Sequence, residues 1–375
     1  MDFEFSYERK ALAESIARFA RDNLSTPSHR SKQFGSTAAK TQGWRSLAEI
    51  GAVGALFQQD VGGFGDDTFD VVNVFEALGR ELVVDLPFLG ALMAGQVLAS
   101  TPATHPVLDK LVSGEQVVTL AHCEPGALWE PSYVTACAQQ RSGAWVLDGI
   151  KAAVPNAQDA QHFVVSARTA GASADEDGIT PFLVDASAEG LRVRPYPEID
   201  GGRAGEVVLE SVVVADSARI GPVHEGHTAL QQAIAAGTLA ISAQAVGAMD
   251  QLVQATTEYL KVRKQFGAPI GANQALQHRI VEMMLELEKA RSAVINAAAL
   301  SGSAQLQAIS AAKLTANQAA RRIAEEAIQL HGGIGMTWEL EPAHYASWLS
   351  MLSSRLGDDD VHLDRYVALA ETVTA

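Results

Sequence analysis

Lys261 to Arg279 reads KVRKQFGAPIGANQALQHR, and about fifty residues further on Gln329 to Thr337 reads QLHGGIGMT. In the first stretch Arg263 can offer a planar, two-pronged donor to phosphate oxygens. Phe266 adds a flat apolar contact, and Gln274 a hydrogen-bonding amide. In the second, Gly332 and Gly333 permit positive φ and close backbone approach, so amides can face a phosphate or an adenine. Gln329 stands one turn before the helix end. Taken alone, RKQFG is an exposed helix end with one core aromatic, and HGG is a glycine-capped terminus. The pair at this spacing is a signature rather than two unrelated helix ends. His331 reads as a structural histidine.

Working outward, helical periodicity runs from Gly226 to the C-terminus. HTALQQAIAAGTLAISAQAVGAMDQLVQATTEYLKV has no proline, and its small residues suit close helix packing. HRIVEMMLELEKARSAVINAAAL places Ile280, Met284, Leu287 and Val294 on one stripe. The next helix aligns Ile323, Ala327 and Leu330 and ends at His331-Gly332-Gly333. Upstream, QVVTLAHC, AWVLDGIKAAV, QHFVVSAR, TPFLVDA, LRVRPYP and GEVVLESVVV read as short strands; TAGASADEDG is a solvated turn. The first part is again helical, with Leu12, Ile16 and Phe19 on one face and glycines 62, 63 and 65 before DTFDVVNVFEALGREL. The expected division is residues 1–114 helical, 115–224 β and 225–375 helical.

The chain has 375 residues, 47% of them hydrophobic, and its mean hydropathy is close to zero, as for a folded, water-facing protein. No run of eighteen apolar residues suggests a membrane span, and the acidic N-terminus does not read as a signal peptide, so a cytoplasmic location is expected. A net charge of −16 argues against a nucleic-acid partner. Cys123 and Cys137 match no metal or disulfide spacing and are expected to be buried thiols.

On KVRKQFGAPIGANQALQHR, QLHGGIGMT and the helix–strand–helix order, the chain resembles the acyl-CoA dehydrogenases over essentially its whole length. The resemblance implies an α+β fold: an N-terminal helical domain, a middle β-barrel or sandwich, and a C-terminal four-helix bundle. It also implies FAD as cofactor, an acyl-CoA thioester as substrate, and electron-transfer flavoprotein as acceptor. In that family Arg263, Phe266, Gln274, Gln329, Gly332 and Gly333 would contact the FAD of a neighbouring subunit.

Two places depart from the family pattern. The first flavin loop, usually similar to T-E-P-x-A-G-S-D, is Cys123-Glu124-Pro125-Gly126-Ala127-Leu128-Trp129-Glu130. The second, usually a lysine followed by W-I-T/S-N, is Lys151-Ala152-Ala153-Val154-Pro155-Asn156; an aromatic wall has become Ala153, and Pro155 has no N–H. The family's base, which takes an α-proton from the thioester, stands before Gly-Thr near the C-terminus; here that position is Leu356. An alternative family position on the first long C-terminal helix falls on Gly237. Asp358 is a displaced, shorter candidate, read more simply as a helix start. Gly237 and Ala236 hint at room for a bulky substrate.

The parts that serve a neighbour's flavin are present, and those that serve the chain's own are changed. The family includes α2β2 heterotetramers of steroid and other bulky acyl-CoA breakdown with one flavin per pair, and the chain resembles one of their subunits, completing a partner's site. Three alternatives stand beside this: a homo-oligomeric dehydrogenase using Asp358, a flavin-dependent monooxygenase, and a non-catalytic scaffold.

Overall fold

The structure, a computed structural model, describes residues 6–24, 37–127, 129–199 and 201–374; Leu128 of the first flavin loop lies outside them. Among the described residues five helices come first: α1 (Tyr7–Asn23), α2 (Thr37–Ile50), α3 (Thr68–Arg80), α4 (Phe88–Ala99) and α5 (His105–Val112). α3 starts where the sequence puts an acidic cap: Asp67 accepts from Phe69 N, and Asp70 closes a capping box. Asp70 also accepts from Arg9 Nε at 2.7 Å, tying α1 to α3.

The middle of the chain forms one mixed, curled sheet. Its strands are β1 (Val118–Ala121), β2 (Cys137–Arg141), β3 (Ala144–Pro155), β4 (His162–Arg168), β5 (Ile179–Asp185), β6 (Leu191–Pro197) and β7 (Arg203–Ala215). The path is β1-β4-β2-β3-β7-β6, with β5 beside β4. Arg168, at the end of β4, donates to the carbonyls of Ser132, Ser173, Asp175 and Asp177, and so shapes the acidic turn expected there. The β3–β7 ladder slips between Lys151 and Val154, where Ala153 takes φ +50°.

Helices then return: α6 (His227–Val262), α7 (Gln274–Ala299), α8 (Gly302–His331), α9 (Glu341–Ser350) and α10 (Asp359–Thr374), with a small hairpin of β8 (Lys264–Gln265) and β9 (Ala268–Pro269) after α6. The small residues of α6 are used for contact. A Cβ on Gly247 would lie 2.0 Å from Glu76 O, and one on Gly79 1.9 Å from Gln244 O, so α3 and α6 cross backbone to backbone. By length and composition α6 alone among the described helices could cross a membrane, but 78% of its most apolar window is buried inside the protein, as in a core helix.

One expectation needs correcting. Met284 is exposed, and Met283 takes the inward place on α7 between Ile280 and Leu287. The helix steps 280, 283, 287, 290 and 294 into the core, so the apolar run at Met283-Met284-Leu285 leaves two of its side chains outside.

Candidate functional site: an outward face and an inner cavity

The two opening motifs meet in space. Tyr259, in the last turn of α6, donates to His331 O at 3.3 Å and packs its ring 4.5 Å from the His331 ring. His331 is bound to Ala327 O at 2.8 Å through Nδ1, and burial lowers its pKa; it serves the fold. Beyond Tyr259 the β8–β9 hairpin turns on two residues, Phe266 (φ +50°) and Gly267 (φ +83°). Such a turn needs positive φ at both positions and normally takes Asn-Gly. An aromatic ring there is strained, and this one is fully exposed, at 104%.

Arg263, Gln274 and Gln329 are exposed as well. A Cβ added at Gly332 or Gly333 would meet nothing within 4 Å, so the backbone there is open to approach. Val262, Met336 and Trp338 add exposed apolar surface beside these motifs in the chain. These six predicted residues therefore form a set that faces outward and leaves the chain's own interior untouched.

The inner cavity lies where sheet and bundle meet. Ala152, Ala153, Pro155 and Asn156 from the second flavin loop line it, with Cys123 and Trp129 from the first, and Arg355 and Leu356 from the α9–α10 turn. Its volume is about 110 Å³. That is below the roughly 150 Å³ of a void that holds one benzene ring, and far below the roughly 300–1,000 Å³ of small-molecule sites.

Both positions at which the family places a base come together here. A Cβ on Gly237 would lie 2.7 Å from Met93 Sδ and 3.3 Å from Leu356 Cδ1. The space that Gly237 leaves is thus filled by Met93 and Leu356, contrary to the expectation of room for substrate. Asp358 is elsewhere: it is exposed, and its Oδ1 accepts from Val361 N at 3.0 Å as the cap of α10. One carboxylate that sequence reasoning missed does line the cavity. Glu198, from the turn after β6, accepts from Arg355 Nη2 at 2.8 Å, so it is committed to an ion pair.

Behind the first flavin loop is a buried network that sequence reasoning also missed. Lys151 Nζ donates to Glu124 Oε1 at 2.5 Å, to Ser166 Oγ at 3.0 Å and to His122 O at 3.3 Å. Glu124 also accepts from Thr135 and from Ala136 N. Burial alone would raise the Glu124 carboxyl; Lys151 and Thr135 outweigh it and hold it below the usual range. Ser166 Oγ lies 2.9 Å from His122 Nδ1, and burial pushes that imidazole down to about 3. A lysine inside a β-branched strand was the available signal: such a charge requires a buried partner. Cys123 is half-buried with its thiol pushed up by burial, and Cys137 is half-buried and in no disulfide.

The turn that carries Leu356 is pinned from behind. Lys313, fully buried in α8, donates to Asn317 Oδ1 at 2.6 Å, Leu352 O at 2.9 Å and Gly357 O at 3.2 Å. His362 Nε2 is 2.9 Å from Leu356 O. Burial lowers Lys313 to about 7 and His362 to about 4.

Comparison with known proteins agrees with this architecture. The family models for the acyl-CoA dehydrogenase N-terminal, middle and C-terminal domains match residues 6–105, 119–212 and 224–368. An L-prolyl-[peptidyl-carrier protein] dehydrogenase of Pseudomonas fluorescens is 30% identical over 89% of this chain and 90% of its own length. A solved variant of a steroid acyl-CoA dehydrogenase, Tcur3481-Tcur3483, superposes with TM-score 0.85 at 28% identity, covering 98% of this chain and 99% of that one. The ChsE4-ChsE5 complex of Mycobacterium tuberculosis shares the fold, with TM-score 0.86 at 24% identity over 98% of each chain. This chain belongs to the acyl-CoA dehydrogenase family of FAD-dependent oxidoreductases.

Proposed function

We propose that this chain is the flavin-completing subunit of a heteromeric acyl-CoA dehydrogenase. It lends Arg263, Phe266, Gln274, Gln329, Gly332 and Gly333 to the FAD of a second, catalytic subunit, and performs no dehydrogenation in its own half. The observation that carries this is the inner cavity of about 110 Å³, with Leu356 against Gly237 and its Glu198 carboxylate bound to Arg355. A bulky acyl-CoA, steroid-like in shape, is the substrate class this assignment favours, because the superposable Tcur3481-Tcur3483 enzyme is a steroid acyl-CoA dehydrogenase. The pair would be an α2β2 assembly in the cytoplasm that passes electrons to an electron-transfer flavoprotein.

The residues divide in keeping with this. Arg263 supplies the charge for a pyrophosphate, the two glycines supply bare backbone, and Phe266 supplies an apolar cover on a strained hairpin tip. The partner would supply the intact flavin loops and the carboxylate that takes the α-proton.

Co-expression with a catalytic subunit tests it. The expected result is one FAD per pair of unlike chains by absorbance and mass, and a pair that forms enoyl-CoA. Enoyl-CoA formation by the lone chain would favour a homo-oligomeric dehydrogenase. Consumption of reduced flavin and oxygen without a CoA ester would favour a monooxygenase. An Arg263→Ala pair with undiminished flavin would leave only a scaffold role.

A further inference from the structure

Three spaces lie in line beside the α9–α10 turn. The inner cavity of about 110 Å³ shares His122, Cys123, Trp129, Ile234 and Leu356 with a space of only about 20 Å³. That small space in turn shares Glu130, Ile234 and Arg365 with a groove of about 280 Å³ walled by the start of α6, by α8 and by α10. One water needs roughly 10–15 Å³ of such room. The middle space is therefore a neck, with Leu356 on its cavity side and Arg365 on its groove side.

Leu356 is the strained part of that neck. Its φ is +56°, and Gly357 follows at φ +111°. A leucine has no polar side-chain atom to favour the left-handed region, so its surroundings must hold it there. Two buried side chains do so. Lys313 Nζ, from α8, bridges the turn from Leu352 O at one end to Gly357 O at the other. Its third bond goes to Asn317 Oδ1, which uses all the protons an ammonium has. His362 Nε2, from α10, lies 2.9 Å from Leu356 O. A Cβ at Gly357 would come within 2.6 Å of that same nitrogen, so the glycine and the imidazole belong to one arrangement. Held this way, Leu356 Cδ1 reaches to 3.3 Å from where a Cβ on Gly237 would stand. On the groove side Arg365 donates to Trp129 O, and Trp129 is itself at φ +66°.

We propose that Leu356 is a fixed plug, held by Lys313 and His362, that divides the inner cavity from the groove and keeps an elongated apolar ligand, such as an acyl chain, from threading this subunit. Its purpose, though not its geometry, rests on the flavin-completing reading: in a pair with one working half, the plug leaves the ligand to the partner.

Crystals of the full chain soaked in 1-octanol, or pressurised with xenon, test it. In the native chain no octanol passes residue 356 and no xenon enters the neck. In Leu356→Gly, which suits a positive φ, octanol should run unbroken from the inner cavity into the groove, and xenon should occupy the space beside Gly237. In solution that variant should bind octanol roughly tenfold tighter than the native chain, the worth of burying about two more methylenes. Lys313→Met keeps the bulk but cannot bridge the two carbonyls; His362→Leu removes only the bond to Leu356 O. Both should free Leu356 from its left-handed conformation and widen the neck. Octanol threading the native chain, a neck still shut in Leu356→Gly, or Leu356 unmoved in both clamp variants would overturn the proposal. Stoichiometric FAD on the lone chain would instead defeat the flavin-completing reading and leave these outcomes as they are.

Discussion

The outward face and the inner cavity differ in what their family residues are used for. On the outward face, Arg263, Phe266, Gln274, Gln329, Gly332 and Gly333 do little for the fold: they are exposed, and Phe266 sits at a strained φ. In the cavity wall and the network behind it, the family-like residues that remain are those the fold consumes. Glu124 and Lys151 neutralise each other, and Asn156 tolerates φ +48° and holds Asp85 O. Under the proposed assignment, the positions that would face a flavin ring or a substrate are Cys123, Ala153, Pro155 and Leu356. Where the fold needs a residue it is kept, and where only the chain's own ligand would need it, it is not. The exposed set satisfies neither need of this chain, in keeping with the proposed role in a partner's flavin site.

The largest effect should come from the cavity's structural remnant. Lys151→Met leaves Glu124 buried without its cation and should destabilise the chain by about 3–5 kcal/mol in denaturant titration, because half of a buried pair is worse than none. A loss under about 1 kcal/mol would mean that the network is slack and the contrast between the two regions is overdrawn. Arg263→Ala should do the reverse. It should leave the melting of the lone chain within about 0.5 kcal/mol yet weaken FAD retention in the pair roughly 10–100-fold, the worth of one charge-assisted donor set.

Acid should separate the regions next. His122 and His362 are buried and held neutral at about 3 and about 4, against 6.5 unfolded. A depressed pKa contributes stability that is present above the unfolded value and lost as pH falls through the folded one. Stability should therefore drop between about pH 6.5 and pH 4, and His362→Gln should flatten that drop. Lys313 has the same sign in a higher window: with a folded value of about 7 against 10.5, its contribution should grow as pH rises from 7. An Arg263→Ala chain should show both slopes unchanged. The smallest effect is expected at the hairpin tip. Phe266→Asn should stabilise the lone chain by a few tenths of a kcal/mol, up to about 1, since asparagine suits that turn, while the pair binds flavin less well.

Much of this was legible in the chain itself. The change of period near Ser113 and again near Gly226 marks where strands replace helices and helices return, because burial on one face forces a spacing of two or of 3.6. The outward motifs were legible because exposed chemistry is concentrated in short, contiguous strings. The cavity was not, for a matching reason. Glu198 and Arg355 are 157 residues apart and meet only when the turn after β6 reaches the α9–α10 turn. Gly237 suggested space, but its neighbours Met93 and Leu356 come from other parts of the chain and fill it. Met283 and Met284 could not be told apart by a periodicity that tolerates either.

Titrating FAD into the purified lone chain tests the central claim most directly. The predicted result is no stoichiometric binding, with flavin retained only when a second, catalytic subunit is present. One tightly bound FAD per lone chain, together with enoyl-CoA formation, would contradict it.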